Sequence, residues 1–272
     1  MKLFSEIFGR TKPIIGMAHF PPLPGSPGYD RSKGIPGIVE SVRRDVLALQ
    51  EGGVDGVLFA NEGDLPYLTA VGPEVPAVMA AVIGELKRDL RVPYGVDVLW
   101  DPKATLALAV ATGASFVREV FTGLWAGDLG LWNTSAGETL RYRSMIGAER
   151  VKLFFNINAE FTGNLDGRSI EMVARSVAFS SRPDALCISG ALTGQAVDLS
   201  DLKRVKETVG DVPVIANTGV TADTVGTILK IADAAIVGTS LKVDGRTFNP
   251  VDVRRVRQLV KRADEVRGEA CT

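Results

Sequence analysis

Two short apolar runs near the end of the chain break into loops of the kind that bind an anion. Pro213-Val214-Ile215-Ala216-Asn217 runs into Thr218-Gly219-Val220-Thr221, and Ala234-Ala235-Ile236-Val237 runs into Gly238-Thr239-Ser240. Glycine lets backbone N–H groups approach an oxyanion, and hydroxyls add donors. Barrels hold a phosphate at consecutive late strand-to-helix junctions of this type. Thr218, Gly219, Gly238 and Thr239 are therefore the expected phosphate ligands, with Ser189 and Gly190 joining from the preceding strand. Thr239-Ser240-Leu241-Lys242 is expected to form a short helix aimed at the anion. Ordinary strand-to-helix turns use the same residue types, and that is the competing explanation.

A second set of residues could move protons. His19 is the sole histidine and follows the first apolar strand; an imidazole there suits acid–base chemistry, although a lone histidine is more often a structural hydrogen-bonding group. Asn61-Glu62-Gly63-Asp64 closes the second strand. It could supply a base, bind a hard divalent cation or simply cap a turn, so a metal is left open and no metal ligand is assigned. Asp97 sits among Tyr94, Val96, Val98 and Leu99, where a carboxylate needs a partner or a shifted pKa. Arg118 and Glu119 are adjacent in the next strand and point to opposite faces, so Asp97 with Arg118 is the expected cross-strand pair, structural or catalytic. Asn156, Asn158 and Glu160 recur at period two and are expected on one face, with Asp128 approaching from the loop above. A Schiff-base lysine is disfavoured. Lys152 lies at the wrong end of its strand, and Lys242 is better placed for a phosphate contact.

Such residues must be positioned by regular elements. Strands are expected over Ile14–Ala18, Val54–Ala60, Tyr94–Leu99, Phe116–Val120, Val151–Ile157, Ala185–Ser189, Val214–Asn217 and Ala234–Val237. They are short and apolar without strict alternation, as strands of a parallel sheet covered on both faces are. Between them lie helical stripes such as Ile35, Ile38, Val39, Val42, Val46 and Leu49. Asp101-Pro102 and Ser135-Ala136-Gly137-Glu138 are helix starts, Gly210 is a stop, and Asn249-Pro250 is expected to open the last helix. Eight such units close into a (β/α)8 barrel. An open nucleotide-binding sheet would want a Gly-rich fingerprint after the first strand, and Gly16-Met17-Ala18-His19 is not one. No nucleotide cofactor is expected. Two long loops, His19 to Asp30 and Thr122 to Thr134, follow the C-terminal ends of strands, where barrel enzymes keep their sites.

The 272 residues suit one barrel domain spanning 1–272, with residues 1–11 as an N-terminal cap whose Leu3, Phe4, Ile7 and Phe8 close the bottom. Thirty-one Lys and Arg against 32 Asp and Glu leave no electrostatic case for nucleic acid or an anionic membrane. The two cysteines, Cys187 and Cys271, form neither a disulfide framework nor a zinc site and fit a reducing compartment. No apolar run has transmembrane length, so an integral membrane role is not expected and a cytoplasmic location is. Homo-oligomerisation is left open.

The stretch Lys12-Pro13-Ile14-Ile15-Gly16-Met17-Ala18-His19-Phe20-Pro21-Pro22-Leu23-Pro24-Gly25-Ser26-Pro27 resembles the opening signature of the BtpA family, the group named for a cyanobacterial photosystem I biogenesis factor. Glu51-Gly52-Gly53-Val54-Asp55-Gly56, Asn61-Glu62-Gly63-Asp64, Gly95-Val96-Asp97-Val98-Leu99, Ser189-Gly190 with Thr193-Gly194, and Ile236-Val237-Gly238-Thr239-Ser240-Leu241-Lys242 extend the likeness over nearly the whole chain. The resemblance implies a ribulose-phosphate-binding type of TIM barrel. It also implies a Lys-His pair after the fifth strand, where this chain has Ala159-Glu160-Phe161-Thr162-Gly163, so a role resting on that pair does not carry over.

Two functions follow as expectations. One is an enzyme acting on a small phosphorylated metabolite, such as a sugar phosphate, by isomerase, epimerase or lyase chemistry. His19, Glu62 and Asp97 would be its acid–base or metal candidates and Arg118, Asn156 and Glu160 its orienting groups. The alternative is a non-catalytic photosystem I biogenesis or stability factor, or a metabolite-binding regulator.

Overall fold

The computed structural model describes residues 2–268, so Cys271 lies outside the described residues. In chain order the elements are α1 (Lys2–Phe8), β1 (Ile14–His19), α2 (Gly34–Gly52), β2 (Gly56–Ala60), α3 (Glu74–Leu86), β3 (Tyr94–Asp97), α4 (Pro102–Thr112) and β4 (Phe116–Glu119). Then come β5 (Gly123–Gly127), β6 (Gly130–Thr134), α5 (Ala136–Met145), β7 (Lys152–Asn156), β8 (Thr162–Asn164) and α6 (Ile170–Ser181). The chain finishes with β9 (Ala185–Ile188), α7 (Leu199–Val209), β10 (Val214–Ala216), α8 (Val225–Ile231), β11 (Ala234–Val237) and α9 (Val253–Arg267).

Eight of the strands close a parallel barrel in the order β1-β2-β3-β4-β7-β9-β10-β11, with β11 returning to β1 through the Ile15–Ile236 register. The expected TIM barrel is present, and each expected strand has its counterpart. Alternation along the strands sorts the core into two layers. Ile15, Met17, Leu58, Phe116, Phe154, Cys187, Ile215 and Ile236 fill the lumen, while Ile14, Val57, Phe59, Val96, Val117 and Leu153 pack outward under the helices. Phe4 of α1 enters the luminal cluster, its ring 6.1 Å from that of Phe154, which stacks on Phe116 at 4.9 Å. Because Phe116 opens β4 and lies 5.5 Å from the Phe8 ring of α1, α1 plugs the end opposite the loops that carry the site.

Local chemistry sets the helix ends. The Asp101 side chain accepts from the backbone N–H groups of Lys103 and Ala104 at the start of α4, with Pro102 in its first turn. Ser135 accepts from Glu138 at the start of α5, and Asp198 caps α7. The last helix differs from expectation. Asp252, not Asn249-Pro250, caps α9, because Val251 is still paired with Lys242 in an isolated bridge and the chain cannot turn helical before it.

The expected long loop from Thr122 to Thr134 is a hairpin. β5 and β6 pair antiparallel with Trp125 opposite Trp132, and β8 adds a third strand from the segment after β7. Both indoles are buried against Leu99, Trp100, Val120 and Ala159 at the mouth of the barrel. Glycines at both ends of β5 and at the start of β6 make this stretch read as loop in isolation; the buried tryptophans make it a wall.

Candidate active site

The C-terminal ends of the strands converge on a cavity of about 270 Å³. His19 comes from the end of β1, Arg118 from β4, Asn217 follows β10 and Gly238 follows β11, while Glu62, Glu160 and Thr193 reach in from the following loops. Thr218, Gly219, Thr239 and Ser240 line the same cavity, with Gly194 and Arg255. Eight of the twelve residues singled out from the sequence therefore share one cavity: His19, Glu62, Arg118, Glu160, Thr218, Gly219, Gly238 and Thr239 contribute its walls.

Arg118 is the electrostatic centre. Its Nη2 lies 3.1 Å from Oδ2 of Asp97, the pair expected from adjacent strands, and the guanidinium carbon stands 5.9 Å from the centre of the Trp100 ring. Burial works against its charge, but the surrounding carboxylates, Asp97 foremost, outweigh that and hold it protonated. Nε and Nη1 of Arg118 have no partner, and neither do His19 Nδ1 and Asn217 Oδ1. Four unspent polar atoms on three lining side chains are a strong demand for a polar ligand.

The carboxylates around Arg118 are pushed towards their neutral forms. Burial raises the pKa of Glu62, with the Arg118 charge and the Thr193 hydroxyl, 3.0 Å from its Oε1, opposing the rise. Asp97 is wholly enclosed and does not line the cavity; burial raises its pKa, against the pull of Arg118. Glu119 is wholly enclosed as well, and burial together with the adjacent Asp97 charge raises it further. Burial thus drives these two sealed carboxyls towards the protonated form, against the Arg118 charge. His19 goes down. Burial comes first, then the charges of Lys242 and Arg118, so its imidazole is held neutral in the physiological range.

A polar relay supports the floor of the site. Asn217 Nδ2 donates to Ser189 Oγ (2.7 Å), Ser189 Oγ to Asn156 Oδ1 (3.2 Å), and Asn156 Nδ2 to Glu160 Oε2 (3.0 Å). Ser189 and Asn156 thus stand behind the cavity and position Asn217 and Glu160. Gly190 is likewise behind it, its N–H donating to the Thr218 hydroxyl. Asn158 departs from the expected face. β7 ends at Asn156, and Asn158 turns to pair with the backbone N–H and C=O of Ser189. Asp128 is exposed in the hairpin turn and faces a neighbouring annex.

The phosphate-type loops have the expected shapes. Thr239–Leu241 forms a one-turn 3-10 helix. Gly219 has φ +63° and lies against the Gln195–Ala196 backbone, so no side chain fits there. At Gly238 a Cβ would stand 3.2 Å from His19 Cε1, so the glycine makes room for that ring. Lys242 departs from expectation. Its Nζ is buried in an ion pair with Asp45 (2.7 Å), which ties the loop to α2 and removes the amine from any anion. The cation beside the loops is Arg255, one turn into α9.

The tetrad after β2 splits in two. Asn61 accepts from the Leu99 N–H (2.7 Å) and Asp64 from the Leu23 N–H (3.1 Å), holding the loop while Glu62 enters the cavity. Among the described residues no group of three or more His, Cys, Asp or Glu side chains is placed to hold a metal ion. Cys187 lies in the luminal core with its thiol pKa raised by burial, and Lys152, at the start of β7, pairs with Asp184. Thr193-Gly194 entered the sequence reading only through the family likeness, and neither they nor Asn217, Glu119 or Arg255 were assigned to the site; the first two lie in a loop with no strand signal of its own and Arg255 in α9.

A BtpA family profile matches residues 10–265. The chain belongs to the BtpA family. An Escherichia coli (strain K12) member, the sgc region protein SgcQ, is 47% identical over 98% of this chain and 100% of its own length. The photosystem I biogenesis protein BtpA of Synechocystis is 30% identical, covering 96% of this chain and 91% of that one. Among solved structures, the (S)-3-O-geranylgeranylglyceryl phosphate synthase of Thermoplasma acidophilum, in complex with sn-glycerol-1-phosphate, superposes with a TM-score of 0.60 at 15% identity over 97% of this chain and 98% of that one. At that identity the likeness shows the barrel fold of this BtpA-family chain and nothing finer. Among the described residues no helix is long and apolar enough to cross a membrane.

Proposed function

We propose that this BtpA-family barrel is an enzyme that binds a small phosphorylated metabolite and moves a proton at a carbon beside a carbonyl, the step shared by isomerases, epimerases and many lyases. One observation carries the reading: the glycine- and hydroxyl-rich loops at 218–219 and 238–240 line the same cavity as Arg118, Glu62 and Glu160. The loop N–H groups, the Thr218 and Thr239 hydroxyls and Arg255 would hold the phosphate. Arg118, with two free nitrogens, would polarise the carbonyl and stabilise the developing enolate. Glu62, its pKa raised by burial, would take the proton, with Thr193 fixing its orientation and Glu160 facing it across the cavity. The volume of about 270 Å³ suits a ligand of sugar-phosphate size.

The test is direct. Orthophosphate, glycerol 1-phosphate and ribose 5-phosphate should each raise the melting temperature in a dose-dependent way. Ligands that bind should exchange a carbon-bound proton in D2O by NMR, and Glu62→Gln should stop the exchange while keeping the thermal shift. No shift with any phosphate ester would overturn the phosphate reading; a shift without exchange would leave a binding protein in place of an enzyme.

A further inference from the structure

Beside the phosphate cavity lies a second chamber of about 400 Å³ that the reading above leaves unused. It shares Glu62 and Thr193 with the first cavity and is otherwise walled by Tyr67, Phe161, Phe248, Leu65, Pro66 and Leu129. Among the described residues the charged side chains lining it are Glu62 and Asp128, both acidic. Its aromatic wall is held in place. The Tyr67 hydroxyl donates to the Glu62 carbonyl (3.0 Å), and the Tyr67 ring packs 6.0 Å from Phe161 and edge-on to Trp100 at 6.1 Å. Phe161 keeps φ +63°, a left-handed conformation unusual for so bulky a residue, and strain of that kind gathers at binding sites. Phe248 completes the wall with 67% of its surface exposed.

We propose that the ligand is a phosphate ester that also carries a planar, uncharged ring, the ring lying in this annex against Tyr67, Phe161 and Phe248. The proposal rests on the phosphate reading and narrows its substrate class from bare sugar phosphates to ring-bearing ones. Aromatic walls favour a flat ring, and two acidic groups favour one that offers N–H donors and disfavour a second anionic group.

Matched ligands test it by calorimetry: ribose 5-phosphate against adenosine 5′-monophosphate, and glycerol 1-phosphate against phenyl phosphate. At least one ring-bearing ester should bind about tenfold or more tightly than its ring-free counterpart. Phe248→Ala should erase that ratio and Phe248→Trp should restore it; at so exposed a position both variants should fold. Equal affinities within both pairs, or a ratio that Phe248→Ala leaves intact, would overturn the annex while the phosphate reading stands. Adenosine binding as tightly as its monophosphate would instead remove the phosphate reading and leave the ring site.

Discussion

Arg118 Nη2 and Asp97 Oδ2 stand 3.1 Å apart across neighbouring barrel strands; Arg118 lines the cavity and Asp97 is sealed beneath it. Truncating one member of a buried pair leaves the other charge uncompensated. Asp97→Ala should destabilise the fold by about 3 kcal/mol, read from urea unfolding. Glu119 lies against the same pair, so Asp97→Ala with Glu119→Ala should cost more than the two single changes together. Simple additivity would show that Glu119 does not take over as counter-ion.

The same cluster makes stability depend on pH. Burial pushes Asp97 up to about 7 from the ordinary 3.8, and Glu119 is raised as well, so the folded state keeps a proton that the unfolded chain releases. Stabilisation from that proton is fully present below about pH 4 and is lost as pH rises through 7. Glu119→Gln replaces the protonated acid by a neutral amide that can donate to Asp97. The loss of stability between pH 5 and pH 8 should shrink by about 1–3 kcal/mol relative to the parent chain. An unchanged pH slope would rule the retained proton out.

Two glycines in the loops should answer differently to alanine. Gly219→Ala meets the Ala196 backbone at positive φ, and neither can move aside cheaply; a loss of about 2–4 kcal/mol is expected in thermal or urea unfolding. Gly238→Ala meets the His19 ring at 3.2 Å, which can swing by a few tenths of an ångström. It should cost less than about 1.5 kcal/mol in stability but weaken ligand binding, since the displaced ring would intrude on the cavity.

Two cations near the loops should separate by role. Lys242→Met breaks the buried pair with Asp45 and should destabilise by about 3 kcal/mol. Arg255→Gln, at an exposed position, should leave unfolding unchanged and weaken phosphate-ester binding about fivefold to tenfold, with a flatter dependence on salt. Equal binding by parent and Arg255→Gln would place the anion elsewhere.

Much of the architecture was legible because it is written locally. Apolar runs of strand length, Asp101-Pro102, Ser135 and Gly210 each act on their own neighbours, and the barrel follows from repeating them. The hairpin at 123–134 was not legible, since its glycines say loop and only the burial of Trp125 and Trp132 against Trp100 makes it sheet. Asn249-Pro250 misled for a similar reason: the bridge between Lys242 and Val251 holds the chain extended past the proline.

The site divides along the same line. Residue types and their places after strands determined by themselves that Thr218, Gly219, Gly238, Thr239, His19, Glu62 and Arg118 would gather at one end, because parallel strands all finish on the same rim. Tertiary structure alone decided how each is spent. Ser189, Gly190 and Asn156 became supports, Lys242 went to Asp45, and Arg255 was brought beside the loops by the last helix. Hydrogen bonds and ion pairs are claimed by whichever group lies nearest in space, and that distance is fixed only when the barrel closes.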